Sequence, residues 1–401
     1  RGGLLLPPAP RHNLITALLG IPHARLVKYH RWTGALLGVP IVIHGLLEGE
    51  FFSSWRGITG TLCLCLWGFL VAFSLEPVRR LAYYFFYYPH FVFIVYYIFS
   101  ILHTATSIWF LLPGAALYAL DLVLRCRGRF SQVVPTGVER LPGSVVRVRL
   151  PRTVAYKAGQ YVSVNVRQVS VHQWHPYSLT SAPDDEGVEL LMRGLGDWSK
   201  SVLQAASRAD GLAMSVVGGF GNFSVAFRRH PVAVLVAGGI GITPFMSLLR
   251  DMKHRDSRGD DFKVRHIYLL WAVRQAAHLA WFPDLRALTG QHTQLTITPI
   301  VHVTGTSAPV GSGGSGGSEG SGSEQGVQED AVELGGAKVS AAGRPDVLGR
   351  FREIGGAHPA CDSVAVLACG PDGLVQEARW AAVKASTCAC PWYFTAEDFS
   401  L

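Results

Sequence analysis

Four histidines stand at spacings suited to iron. His30 and His44 are 14 residues apart, and His90 and His103 are 13 apart. All four lie in apolar, helix-forming stretches. At about 1.5 Å of rise per residue, each pair spans roughly 20 Å, most of a hydrocarbon core of about 30 Å. Imidazole is a common axial ligand of haem iron. Two neighbouring helices, each with a histidine near either membrane face, would hold two haems (haem b) one above the other and pass electrons through the bilayer. A lone membrane histidine often caps a polar neighbour or lines a cavity. Four in two matched pairs favour the haem reading, because polar residues inside a bilayer are expensive and usually functional. One detail resists the geometry. Fourteen residues return a side chain to within about 40° of its start, but 13 leave it about 140° away. The helix bearing His90 and His103 must bend, or its ligands must approach from different sides.

The elements that position these residues are apolar spans, expected at about 31–48, 58–75, 90–107 and 109–125. Arg25, Lys28 and Arg31 precede the first span, and Glu48 and Glu50 follow it. Arg79 and Arg80 lie between the second and third, and Arg125, Arg127 and Arg129 follow the fourth. The positive-inside rule places the basic clusters, with His30 and His90, on the cytoplasmic side, and His44 and His103 near the outer face. His30 then faces His90, and His44 faces His103.

The chain has 401 residues, enough for two or three domains, and its apolar excess is concentrated in the first third. The formal charge of +8 comes without a basic stripe interleaved with aromatics, so nucleic acid is not expected as a partner. The seven cysteines form no CxxC pair, which argues against both a zinc site and a disulfide framework. The chain begins with Arg1 and shows no signal peptide.

The expected fold is multi-domain. A helical transmembrane haem domain over 1–129 is followed by an antiparallel β-barrel over 130–227 and an α/β parallel-sheet domain over 228–401. Val145–Leu150 and Tyr161–Val166 alternate like half-buried strands. Val232–Ala237, His266–Trp271, Leu295–Val301 and Val364–Ala368 are strands in a strand–helix rhythm, with helices at Phe245–Met252 and Gly373–Lys384. Residues 305–345 break it with a Gly/Ser/Glu run that predicts a flexible, disordered insertion.

Three segments carry cofactor chemistry. In HPYSLTSAP, His175, Pro176 and Tyr177 precede the hydroxyls of Ser178, Thr180 and Ser181. An aromatic wall and hydroxyl donors suit a flavin. Arg193 and Gly194 follow one strand later, and Gly218, Gly219 and Gly221 form a turn where backbone can approach phosphate. Gly238, Gly239 and Gly241 follow a buried strand and lead into Thr243, Pro244 and Phe245, which open a helix whose terminus suits a pyrophosphate. Pro244 fits the first turn, and Thr243 can cap it. Cys369, Gly370 and Pro371 end a later strand at the same carboxyl edge. Arg274 either meets the 2′-phosphate of NADPH or is a solvated surface arginine.

Together the two histidine pairs, HPYSLTSAP, GGIGITPF and CGPDG resemble the ferric reductase and NADPH oxidase superfamily over nearly the whole chain outside the insertion. The 13-residue spacing is also the family's habit. Family members have six core membrane helices. The four spans here are similar to the third to sixth, and the first two are expected upstream of Arg1. The resemblance implies an integral membrane protein, most naturally of the plasma membrane, with cytoplasmic FAD and NADPH domains. It implies FAD at His175–Ser181, NADPH at Gly238–Phe245 and Cys369–Pro371, an inner haem on His30 and His90, and an outer haem on His44 and His103. Electrons would leave to an acceptor across the lipid bilayer. Phe399 is nearest to the C-terminal phenylalanine that the oxidases stack by the flavin, but Ser400 and Leu401 follow it. GGIGITPF and RHNLITALLGIP are similar to plant and fungal ferric-chelate reductases, whereas HPYSLTSAP and CGPDG are similar to the oxidases. The balance favours ferric chelates as acceptor. Dioxygen is the alternative, and a non-catalytic haem membrane protein the second.

Overall fold

The structure, a computed structural model, describes residues 23–129, 132–171, 173–206, 212–221, 227–305, 332–334, 337–340 and 344–396. Phe399 and the RHNLITALLGIP stretch lie outside the described residues. Contacts divide the chain into two compact units, with the break between Arg129 and Phe130.

The first unit is helical. Helices α1 (His23–Leu36) and α2 (Gly38–Glu48) are joined by Leu37 alone. Pro40 accounts for the break, since it has no N–H to give the Leu36 carbonyl. Helix α3 (Trp55–Phe73) starts at Ser54, whose hydroxyl accepts from the Gly57 N–H. Helices α4 (Glu76–Leu81), α5 (Tyr83–His90), α6 (Phe93–His103) and α7 (Ser107–Arg129) follow. Trp55–Phe73 and Tyr83–His103 are long and apolar enough to cross a membrane, and the apolar part of α7 is shorter, Ser107–Leu120. The second and third expected spans thus appear as Trp55–Phe73 and Tyr83–His103, the first as a broken helix pair, and the fourth within α7. Large apolar side chains point outward; Leu46 and Leu47 on α2 are 70% and 81% exposed. Such a surface suits lipid rather than water.

The second unit opens with two small antiparallel sheets. One orders β1 (Gln132–Val133), β7 (Met214–Phe220), β4 (Tyr161–Val166) and β5 (His175–Ser178); the other orders β2 (Gly137–Leu141), β3 (Val145–Pro151) and β6 (Gly187–Arg193). Val146, Val148, Val162, Val164 and Leu190 fill the space between them. Strands β3 and β4 are buried along nearly their whole length, not half-buried as their alternation suggests. On β3 the reason is visible. Val145 packs with Leu248, Leu249 and Trp281 of the α/β part, so the second face of the strand is covered as well.

The α/β part is an eight-stranded sheet. Strands β8 (Val232–Gly238), β9 (His266–Val273) and β11 (Thr296–Val303) run parallel outward on one side. Strands β14 (Val364–Cys369) and β15 (Trp392–Ala396) run parallel on the other. Strand β8 is buried throughout. Its Ala233, Leu235 and Ala237 face the core under α9 (Thr243–Arg258). Its Val232, Val234 and Val236 face α11 (Val347–Ala357) and α12 (Asp372–Ala385). (The short helices α8, Asp197–Ala205, and α10, Leu285–Leu288, complete the numbering.) Helices thus cover both faces, and strand order reverses between β8 and β14. In open α/β sheets ligands bind outside the carboxyl ends of the strands at such a reversal.

The insertion does not stay structureless over its expected length. Strand β13 (Ala337–Ser340) pairs in parallel with β11, and β12 (Val332–Leu334) pairs antiparallel with β13. The β-branched Val332 and Val339 are of the kind that an open sheet edge can recruit. The remaining edge strand, β10 (Gly290–Gln291), pairs antiparallel with β11. Residues 306–331, which hold the Gly/Ser/Glu run, lie outside the described residues.

Candidate functional site

The helical unit brings the four histidines together in two layers. The His30 and His90 rings have centres 6.1 Å apart with planes at 72°. The His44 and His103 rings have centres 6.0 Å apart at 78°. Two imidazoles on opposite sides of one metal, at about 2 Å each, place their ring centres about 6 Å apart. Both pairs have that separation. The 13-residue mismatch is eased by a break directly after His90. The Phe91 and Val92 N–H groups donate to carbonyls three residues back, at 3.2 and 3.0 Å, and Ile94 repeats the pattern at 3.0 Å. Winding of this kind advances about 120° per residue instead of about 100°, which turns His103 toward the side of His90.

Helix α3 holds one ring of each pair by its other nitrogen. His103 Nδ1 lies 2.9 Å from the Arg56 carbonyl, in the first turn of α3. His90 Nδ1 lies 3.3 Å from the hydroxyl of Ser74, the C-cap of the same helix. The distance along α3 between these two partners is about 27 Å. A carbonyl only accepts, so Nδ1 of His103 carries the proton and Nε2 keeps its lone pair for a metal. Gly60 leaves room for this ring, since a methyl there would lie 3.0 Å from His103 Cε1. Among the described residues no three His, Cys, Asp or Glu side chains converge as a metal cage. Two imidazoles per layer match instead the two axial positions that a porphyrin leaves on iron.

In the second unit, β5 carries the HPYS segment. His175 stacks on Trp198 of α8, with centres 4.0 Å apart at 26°, and Tyr177 lies 6.3 Å from the same indole. Burial pushes the Tyr177 phenol far up, so it stays protonated. Pro176 and Ser178 alternate with these rings along the strand. The hydroxyls expected to meet the cofactor behave differently. Thr180 Oγ1 donates to Glu189 Oε1 at 2.9 Å. Ser181 Oγ accepts from the Glu189 N–H at 3.0 Å and pairs with Tyr156 at 2.8 Å. Burial pushes the Tyr156 phenol up to about 12, despite its Ser181 hydrogen bond, so it remains a donor to the Ala182 carbonyl. Both hydroxyls thus also brace the segment against Glu189, which stands opposite them on the neighbouring strand.

Arg193 ends β6 and Gly194 follows it, with the Gly194 N–H on the Ser144 carbonyl at 2.9 Å. A methyl on Gly239 would lie 3.8 Å from the Arg193 guanidinium, which therefore stands beside the nucleotide loop. Gly219 and Gly221 have φ of 90° and 92°, and a methyl on Gly218 would come within 2.7 Å of Val162 Cα. This turn needs glycine for conformation at two positions and for space at the third.

The GGIG loop forms a 3₁₀ turn over Gly239–Ile242 that runs into α9. Pro244 occupies the first turn of α9, and Phe245 is wholly buried. Thr243 does not cap this helix: its hydroxyl donates back to the Ile240 carbonyl at 3.0 Å. The intervening 3₁₀ turn places Thr243 inside the helix, where the backbone is already helical. Cys369 aligns with Ala237, and a Cβ on Gly370 would lie 2.8 Å from the Gly238 nitrogen. Pro371 precedes α12 as its N-cap. The Gly238, Gly239 and Gly241 loop and the Cys369-Gly370-Pro371 turn thus meet at the strand reversal. Arg274 is exposed just past the same edge of β9.

Several contributors escape sequence reasoning. Trp271 donates its indole N–H to the Gly239 carbonyl at 3.0 Å and holds the loop from the neighbouring strand. Trp198, Glu189 and Ser247 likewise act on segments distant from them in sequence.

Comparison with known proteins follows the same division. A ferric reductase-like transmembrane component matches residues 3–101, an FAD-binding domain 131–241, and a ferric reductase NAD-binding domain 230–383. Dual oxidase 2 of Rattus norvegicus is 26% identical over 81% of this chain and 22% of its own length. Ferric reduction oxidase 2 of Arabidopsis thaliana is 28% identical over 73% of this chain and 43% of its own length. A superoxide-generating NADPH oxidase heavy chain of Dictyostelium discoideum is 27% identical over 64% of this chain and 42% of its own length. The chain thus spans less than half the length of each of these relatives. With a transmembrane component, a flavin domain and a nicotinamide domain in this order, the chain is an integral membrane protein and belongs to the ferric reductase and NADPH oxidase superfamily.

Proposed function

We propose that this chain moves electrons from cytoplasmic NADPH through FAD and two bis-histidyl haems to ferric chelates on the far side of a membrane, most naturally the plasma membrane. The observation that carries the proposal is the two pairs of facing imidazoles, at 6.1 and 6.0 Å, in layers beside opposite ends of α3. When bound, flavin converts a two-electron hydride into single electrons, and haem relays them. His30 with His90 and His44 with His103 would hold the two haems through their ring nitrogens. The apolar shell of α2, α3 and α6 would exclude water from the relay. Gly238, Gly239 and Gly241 open backbone N–H groups to the pyrophosphate of NADPH, and Arg193 stands between this loop and the flavin strands. Lys28, Arg31, Arg79 and Arg80 favour the orientation that leaves His30 and His90 on the cytoplasmic side.

Ferric iron is preferred to dioxygen on the GGIGITPF likeness to ferric-chelate reductases. Vesicles holding the full-length protein decide between them, with NADPH supplied on the side of the flavin domain. Ferrozine-trapped Fe(II) that persists without oxygen is the expected result. A signal that needs oxygen and disappears with superoxide dismutase would replace ferric chelate with dioxygen.

A second outcome is expected at Gly241. Its Cβ would run into the Cys369 carbonyl and stand 3.0 Å from the Gly370 nitrogen, both backbone atoms that cannot rotate away. Gly241→Val should therefore weaken NADPH binding at least tenfold, a loss of about 1.4 kcal/mol or more, while FAD content stays at the parent level. Flavin absorbance of the purified protein and its bleaching by NADPH measure the two separately.

A further inference from the structure

We propose that Ser247 and Arg250, on the first helix of the nucleotide domain, are positioning residues for the flavin: they fix the backbone of the HPYSLTSAP segment from behind. This rests on the FAD reading above. Ser247 Oγ donates to the Ser181 carbonyl at 2.6 Å and accepts from the Gly159 N–H at 3.3 Å. Arg250 Nη1 donates to the adjacent Thr180 carbonyl at 2.8 Å. The same guanidinium is held by Asp284, at 2.8 Å from Nε, and by Glu189, at 3.0 Å from Nη1. Ser247 is wholly buried, and Arg250 is mostly so.

Two consecutive carbonyls of the flavin segment are thus taken by one face of α9. Ser247 also joins that segment to the 155–160 loop, where Gly159 adopts φ of 78° against Leu248 of the same helix. The hydroxyls of Thr180 and Ser181 meet Glu189 and Tyr156 of the same two-sheet part, so the path of this segment is set by backbone contacts on one side and strand pairing on the other. The GGIG loop opens the same helix, with Gly241 six residues before Ser247. The helix that receives NADPH therefore also seats the flavin segment. A short rigid link of this kind keeps the two ring systems in register for hydride transfer.

The test uses the full-length protein with Ser247→Ala and Arg250→Lys. Ser247→Ala removes two buried hydrogen bonds without adding volume. FAD affinity is measured by flavin fluorescence, and seating of the bound ring by visible circular dichroism at saturating FAD. Affinity is expected to fall about tenfold in Ser247→Ala, with an altered flavin dichroism, and Ser247→Thr is expected to restore part of both. A brace that only stabilises the fold would lower the melting temperature and leave the dichroism of bound flavin as in the parent. That result, or unchanged affinity and dichroism in both variants, overturns the inference while the FAD reading stands. A parent protein that holds no flavin overturns both.

Discussion

Replacing His103 with alanine is expected to remove one of two haems from the full-length chain and to lower transmembrane electron flow more than 100-fold. Loss of a hydrogen-bonding partner behind a metal-bound histidine already costs about 10–100-fold in metal affinity or activity, and loss of the imidazole itself removes the bond. His44 would then lose the ring that faces it 6.0 Å away, and one imidazole would be left to hold that haem. His30 and His90 would keep their own layer. Haem-to-protein ratio and the dithionite-reduced spectrum should show half the parent signal, and NADPH should still bleach the flavin. An unchanged haem ratio in His103→Ala, with the parent's reduced spectrum, would sink the two-layer arrangement. Ser74→Ala is the milder companion. It removes the hydroxyl 3.3 Å from His90 Nδ1 and leaves the ligand in place, so haem content should hold while the midpoint potential of one haem moves.

What the sequence shows plainly here is local. The histidine pairs, GGIGITPF and CGPDG each declare themselves within a few residues, and their places follow from strand-then-glycine and from apolar helix periodicity. Strand β8 is legible for the same reason: six consecutive small or branched apolar residues and a glycine demand burial on both faces. The features that sequence reasoning does not reach depend on distant partners. Nothing close in sequence to Thr180 and Ser181 shows which protein groups they meet. Glu189 claims both from a neighbouring strand, and Arg250 and Ser247 claim their carbonyls from about 70 residues away. Thr243 looks like a helix cap until a 3₁₀ turn moves the helix start in front of it. The break after His90 is half-legible. The 13-residue spacing demands a distortion and Pro89 marks the neighbourhood, but only the three-residue hydrogen bonds show how the winding changes.

Replacing Glu189 with glutamine should destabilise the second unit by about 3 kcal/mol, the scale of breaking a buried ion pair, and lower its melting temperature by roughly 6–12 °C. The carboxylate faces three guanidinium groups: Arg250 at 3.0 Å, Arg149 at 3.3 Å and Arg147 at 3.5 Å. Its side chain is only 13% exposed, so water screens these charges weakly. Burial alone would raise the Glu189 pKa. Arg250, the Thr180 hydroxyl and Arg147 more than offset it and hold the group below its ordinary 4.5. The sign follows from linkage. A carboxyl whose folded value is depressed contributes its full stability above the unfolded value, and loses it as pH falls through the lower folded value. The gap between parent and Glu189→Gln should therefore be complete at neutral pH, begin to close below about pH 4.5, and shrink further as the folded group is protonated. Glu139→Gln is the control. That carboxylate meets the same Arg147 at 2.7 Å but is 49% exposed, so its loss should cost less than about 1 kcal/mol. Equal melting shifts for the two variants, or a Glu189→Gln gap that does not narrow in acid, would show that burial of Glu189 among arginines does not hold the flavin strands to α9.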